Sequence, residues 1–258
     1  MANNSISRRP HECVALQLYT VRDLAASDLL GTLEQVAATG YRAVEFAGLH
    51  GVSAEVAGTH CDDLGLVRAG AHMSVARFES EPDAVAEELR ALGTATIVFP
   101  ALPQPASLED SSSALERLAA VAASASARGL RPVFHNHAQE FERDADGRRI
   151  WDGVVAIDGL DLELDLGWVW VAGEDPAALL AGLRGRVPLV HVKDHVRTAD
   201  GAPDCPVGEG EIDYELLIPA ALEAGAEWLV VEQDEPGPSP LDAIARSLRG
   251  VNARLPAG

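Results

Sequence analysis

Val187-Pro188-Leu189-Val190-His191-Val192-Lys193-Asp194 reads as a β-type run that ends in an imidazole, an ammonium and a carboxylate. Its apolar positions suit a strand buried in a sheet, and its polar end suits the rim of a site. Three other segments share this form: Arg131 to Phe134 leading into His135-Asn136-His137, Leu162 to Leu166 containing Asp165, and Trp228 to Val231 leading into Glu232-Gln233-Asp234. Repeated around one barrel, such strand ends converge on a single pocket.

Outward from this seventh strand, the chain alternates β-type and helical stretches. The earlier strands are expected at Val14 to Tyr19, Ala43 to Phe46, Val67 to Met73 and Thr96 to Phe99. Helices are expected from about Ser27 to Thr39, Ser53 to Leu64, Pro82 to Leu92 and Leu108 to Ala127, with Gly40, Gly65 and Gly93 as stops. Glycine closes a helix cheaply because it accepts a left-handed backbone. A short helix near Trp151 to Ala156 follows the fifth strand. The later helices run near Pro176 to Leu183, Tyr214 to Ala224 and Leu241 to Leu248.

Eight β-then-α units predict an α/β fold, a single-domain (β/α)8 TIM barrel spanning residues 13–258. An open doubly wound sheet would carry a glycine-rich phosphate turn after the first strand. Here that position holds Thr20-Val21-Arg22-Asp23. Residues 1–12 are polar, with no following apolar signal core, and read as a loose tail on a cytoplasmic protein.

The 258 residues carry 40 acidic and 20 basic side chains, a net charge of −20 that argues against nucleic acid as a partner. Hydrophobic residues make up 47%, enough for a substantial core, yet no run is long enough to span a membrane. The three cysteines are widely separated, form no CxxC pair and read as reduced thiols.

Strand alternation then groups the polar ends. Glu163 and Asp165 share one face, as do His191 and Lys193. Pointed inward at the rim, Asp165, His191 and Glu232 supply two carboxylates and an imidazole. Such a mixed set suits one divalent ion: Mn²⁺ foremost, with Mg²⁺, Co²⁺ or Zn²⁺ as alternatives. Gln17, Tyr19, Glu45 and His72 lie near the ends of the first three strands and could bind substrate hydroxyls. Trp168 could stack on a sugar ring or pack under the next helix. Gly208-Glu209-Gly210-Glu211 reads as a loop suited to closing over substrate.

From Leu16-Gln17-Leu18-Tyr19 and Val44-Glu45-Phe46, through His135-Asn136-His137, Leu164-Asp165-Leu166-Gly167-Trp168 and His191-Val192-Lys193-Asp194, to Val231-Glu232-Gln233-Asp234, the chain resembles the xylose-isomerase-like sugar-phosphate isomerase/epimerase superfamily. The resemblance implies one metal held by a Glu, an Asp, a His and a Glu from strands five to eight. Asp165, His191 and Glu232 match the last three. The strand-five place resembles Asn136, an amide in place of the acid, so Glu140 four residues on is the favoured fourth ligand and Asn136 the alternative.

It also implies proton abstraction next to a carbonyl, with Glu232 as the clearer base. Lys193 would stabilise an enolate or carry a proton, and His137 would be a second acid or base. The expected activity is a metal-dependent isomerase or epimerase acting on a keto-sugar or inositol-type substrate. Two alternatives remain open: a dehydratase or keto-glycoside lyase using the same enolate, and a non-catalytic sugar-binding barrel. The expected partner is a small carbohydrate, with neither membrane nor nucleic acid. Such barrels often pair, which leaves a homodimer open by analogy.

Overall fold

Eight short strands carry the architecture of the computed structural model, which describes residues 13–103, 111–144 and 146–256. They are β1 (Val14–Gln17), β2 (Ala43–Phe46), β3 (Val67–His72), β4 (Thr96–Phe99), β5 (Arg131–His135), β6 (Asp161–Asp165), β7 (Leu189–Val192) and β8 (Trp228–Val231). Every pairing is parallel, and β1 pairs with both β2 and β8. The sheet therefore closes in the order β1-β8-β7-β6-β5-β4-β3-β2. This is the TIM barrel expected from the alternation of strands and helices. The expected tail at 1–12 lies outside the described residues, as does the expected start of the helix that is seen over Ser111–Ala127.

Local chemistry explains where elements differ from expectation. β1 stops at Gln17 because its side chain accepts the backbone N–H of Tyr19, starting a 3-10 turn over Leu18–Val21. The helix expected from Ser27 is two helices, Arg22–Ser27 and Leu29–Thr39. Asp28 between them is extended and caps the second through Gly31 N–H at 2.9 Å. Gly65 and Gly93 end their helices with φ of 68° and 88°.

The barrel interior is built in two levels. Ala15, Ala43, Ala69, Val98, Val133, Leu189, Trp228 and Val230 form an apolar cluster contributed by strands alone. The large second core lies between strands and helices. Because side chains alternate along a strand, the inward positions two residues beyond this cluster are Gln17, Glu45, His135, His191 and Glu232, with Glu163 and Asp165 beside them on β6. All seven are at most 4% exposed.

β3 reaches the same level by a different route. Its register against β2 slips between Val44 and Glu45, so that Val44 faces Arg68 while Glu45 faces Gly70. The extra residue changes the inward parity of β3, and His72 rather than Ala71 joins the polar layer.

Candidate active site

The polar layer forms the floor of a cavity of about 510 Å³ at the C-terminal end of the barrel, lined in part by Tyr19, His72, His135, His137, Trp168, Glu232 and Asp234. Two metal-capable groups lie there among the described residues: His135, Asp165, His191 and Glu232, and beside them Glu45, His72, Glu163 and His191. His191 belongs to both. Its Nδ1 lies 3.0 Å from Glu232 Oε2 and 3.8 Å from Asp165 Oδ2. Its Nε2 lies 3.0 Å from Glu45 Oε2 and 3.2 Å from Glu163 Oε2.

Asp165 splits its two oxygens between structure and site. Oδ1 accepts Trp168 N–H at 2.8 Å and caps the helix over Leu166–Val171. Oδ2 is buried without a hydrogen-bond partner. Lys193 Nζ contacts Glu232 Oε2 at 2.9 Å, Asp234 Oδ2 at 2.8 Å and Asp165 Oδ2 at 3.5 Å. Gly167 permits this approach, since a Cβ there would lie 2.5 Å from Lys193 O and 2.9 Å from its Cβ. The ammonium also sits 5.0 Å from the Trp168 ring centre.

Burial and neighbouring charge set the protonation of the layer. Burial pulls the Lys193 ammonium down, but Glu232, Asp165 and Asp234 more than reverse this and raise it above the ordinary lysine value. Of the two roles expected of it, enolate stabilisation and proton transfer, this favours the first. Burial raises Glu232, yet Lys193 and His191 hold it well below the usual carboxylate range. Burial, then Lys193, pushes His137 down to about 4, leaving a neutral imidazole at neutral pH. Burial raises the Asp165 carboxyl above its ordinary value despite Lys193 and His191.

The layer brings together Glu45, His72, Asp165, His191, Lys193 and Glu232. Gln17 supports Glu45 through a 2.7 Å bond from Nε2 to Oε2. Tyr19, 43% exposed, stands at the cavity mouth under the guanidinium of Arg22. Trp168 lines the cavity beside His137, with ring centres 5.9 Å apart.

Glu140 and Asn136 are placed otherwise. Glu140 folds back on its own turn, accepting His137 N–H at 2.7 Å and Gln139 Nε2 at 3.1 Å. Asn136 accepts Asp165 N–H at 3.0 Å and ties β5 to β6. Glu140 lies outside both clusters, and the strand-five residue that lies with Asp165, His191 and Glu232 is His135. His135 and Glu163 received no role from the sequence. Their signal was the two-residue spacing to Val133 and Asp165 along strands already recognised.

The loop after β7 is not built to swing. Asp194, fully buried, accepts the N–H groups of His195, Gly208, Gly210 and Ile212, and Arg246 pairs with Glu209. Asp194–His195 also forms a short antiparallel ladder with Asp204–Cys205.

A family model described as Xylose isomerase-like TIM barrel matches residues 33–253. The chain belongs to the Xylose isomerase-like TIM barrel family. A sugar phosphate isomerase/epimerase from Parabacteroides distasonis superposes with a TM-score of 0.78 at 20% identity, covering 99% of this chain and 98% of that one. A protein named IOLI, solved with a bound zinc atom, superposes with a TM-score of 0.70 at 16% identity, covering 93% and 95%. Both likenesses are of fold. Probable endonuclease 4 of Mycobacterium tuberculosis is 33% identical over 106 residues, 39% of this chain and 40% of that protein. The match thus spans about two fifths of that relative's length. This family includes enzymes of different reaction classes on one barrel, so the site has to decide the chemistry.

Proposed function

We propose that this protein is a divalent-metal-dependent isomerase or epimerase of a small carbohydrate, acting by proton abstraction α to a carbonyl. One observation carries the reading: Asp165 Oδ2 is buried without a hydrogen-bond partner, with His191 Nδ1 at 3.8 Å and His135 Nε2 at 4.0 Å, beside the floor of a sugar-sized cavity. Unsatisfied buried polar atoms are costly, and a cation would engage them.

His135, Asp165, His191 and Glu232 would hold the ion. Two imidazoles among the four donors favour Mn²⁺, Co²⁺ or Zn²⁺ over Mg²⁺. When bound, the ion would polarise the substrate carbonyl and stabilise the negative charge of an enediolate. Glu232 reaches the cavity as a carboxylate and is placed to receive the proton. Lys193 supplies fixed positive charge beside it. Neutral His137 offers a hydrogen bond to a hydroxyl, and Tyr19 and Trp168 present ring faces at the mouth and wall. The carboxylate-rich floor and the net charge of −20 favour a neutral sugar over DNA.

A second reading has one specific support. In the four-residue cluster His135 stands on strand five, where the family resemblance implies a Glu. A single carboxylate base suits elimination as well as isomerisation, so a dehydratase or keto-glycoside lyase uses the same parts.

The test is NMR in D₂O across keto-sugars, inososes and 3-keto-glycosides with metal-loaded protein. Solvent deuterium should enter the carbon next to the carbonyl, and Glu232→Gln should slow this by about 10²–10⁴-fold. Exchange accompanied only by elimination would sink the isomerase reading. A protein that takes up no metal and exchanges no substrate would be a binding barrel.

A further inference from the structure

A second cavity, of about 410 Å³, lies against the active-site cavity on the outer side of β2 and β3. Phe46 and Ala71, which line it, are the outward neighbours of Glu45 and His72. The two cavities share the wall His72-Met73-Ser74 and reach successive residues, Ala47 and Gly48, of the loop after β2. We propose that this second cavity is an aglycone subsite: the substrate is a glycoside whose sugar ring fills the first cavity and whose uncharged aryl group enters the second. The inference deepens the carbohydrate reading and rests on it for the sugar.

The lining decides the chemistry of the occupant. Phe46, Leu49, Val52, Met73, Leu89 and Leu92 supply apolar walls. Leu49 and Val52 pack on the main core yet are only partly buried, so each keeps apolar surface to offer a ligand. Arg77 borders the same space and would be the natural partner of a phosphate. Its guanidinium is already held by Glu88, with Nη1 3.0 Å from Oε1 and Nη2 2.5 Å from Oε2. This pair cancels in charge and fills the fork that a phosphate would use, which favours an uncharged group. The thioether of Met73 and the imidazole of His72 suit contact with an aromatic ring. The volume lies toward the small end of ligand pockets, with room for one substituted ring.

The loop that lines this cavity is held in shape. Val52 N–H donates to Leu49 O at 2.9 Å, closing a turn whose central residues His50 and Gly51 have φ of 48° and 85°. Two positive values in succession are those of a type I′ turn. Among the described residues His50 is the one non-glycine residue with positive φ. Such backbone persists where the surrounding structure demands it, and it clusters at ligand sites. Here the turn brings Leu49 and Val52 together on the cavity and sets His50 at its edge.

The test uses metal-loaded wild-type protein and matched methyl and 4-nitrophenyl glycosides of glucose and galactose, which lack a ketone and bind without turnover. Dissociation constants from ligand-observed NMR titration should be lower by about tenfold or more for the aryl member of a pair. A crystal structure of the aryl complex should place the nitrophenyl ring between Phe46 and Leu89. Leu49→Trp puts an indole into the second cavity and should bring the preference close to unity, with methyl glycoside binding unchanged. Val52→Trp should do the same, and stands in if the first variant does not fold. Equal affinity within each pair, or no binding of either member, overturns the proposal. So does a nitrophenyl ring seated elsewhere, or an aryl preference that survives in the folded variants. The two readings fail separately. Deuterium exchange into free keto-sugars without an aryl preference defeats only the aglycone subsite, and an aryl preference without exchange into any substrate defeats only the isomerase.

Discussion

Lys193 is the residue on which the electrostatics of the pocket balance. It is 1% exposed and faces Asp165, Glu232 and Asp234, so Lys193→Met leaves three carboxylates facing one another. Removing one partner of a buried ionic set costs about 3–5 kcal/mol, and urea unfolding of metal-free protein should show that loss. The cysteines predict a different pH response. Burial, with Asp194, Glu209 and Asp204, pushes the Cys205 thiol up to about 12, and burial raises Cys61 to about 11. A raised thiol pKa means the reactive thiolate is scarce below it. Alkylation of the native protein should therefore be slow at pH 8 and climb roughly tenfold per pH unit above it, as mass spectrometry of iodoacetamide-treated samples would show. Rapid labelling of Cys205 at pH 8 would contradict this environment.

At the scale of elements, two small features hold the site together. Asp194→Ala removes the acceptor for four backbone N–H groups and should cost about 2–4 kcal/mol by denaturant unfolding. Asp194→Asn, which keeps a carbonyl oxygen, should lose less. Gly167→Ala forces β6 and β7 apart where Lys193 emerges, so it should weaken metal retention more than it weakens the fold. Metal content at matched helical circular dichroism separates the two effects. Elements of this kind also mark what was legible in the sequence. Period-two strands and glycine-stopped helices follow from local patterns, and the barrel follows from their number. His135 carried the same period-two signal from Val133, whereas the fold-back of Glu140 does not follow from local pattern, because it depends on the turn that the chain takes after the strand. The slip in β3 that brings His72 inward is likewise a property of pairing with β2. Asp165, His191 and Glu232 were legible because they share one parity on regular strands.

For the whole molecule, the apolar and polar levels of the barrel divide stability from chemistry. A cation bound only by the folded state stabilises it by about 2.7 kcal/mol at a hundredfold excess over Kd. For a domain of this size that is roughly 5–10 °C in melting temperature, and calorimetry with and without Mn²⁺ should record a shift of that order. No shift with any of Mn²⁺, Co²⁺ or Zn²⁺ would count against a metal centre. No helix among the described residues is long and apolar enough to cross a membrane. The Asp194 anchor has a consequence for traffic through the pocket. With the β7 side tethered, the path for a substrate is biased toward the opposite wall, where Ala47, Met73, Ser74 and Pro100 line the opening. That wall presents small and apolar groups, so bulk added at Ala47 or Ser74 would act as a doorstop, selecting substrates by girth before any charged group is reached.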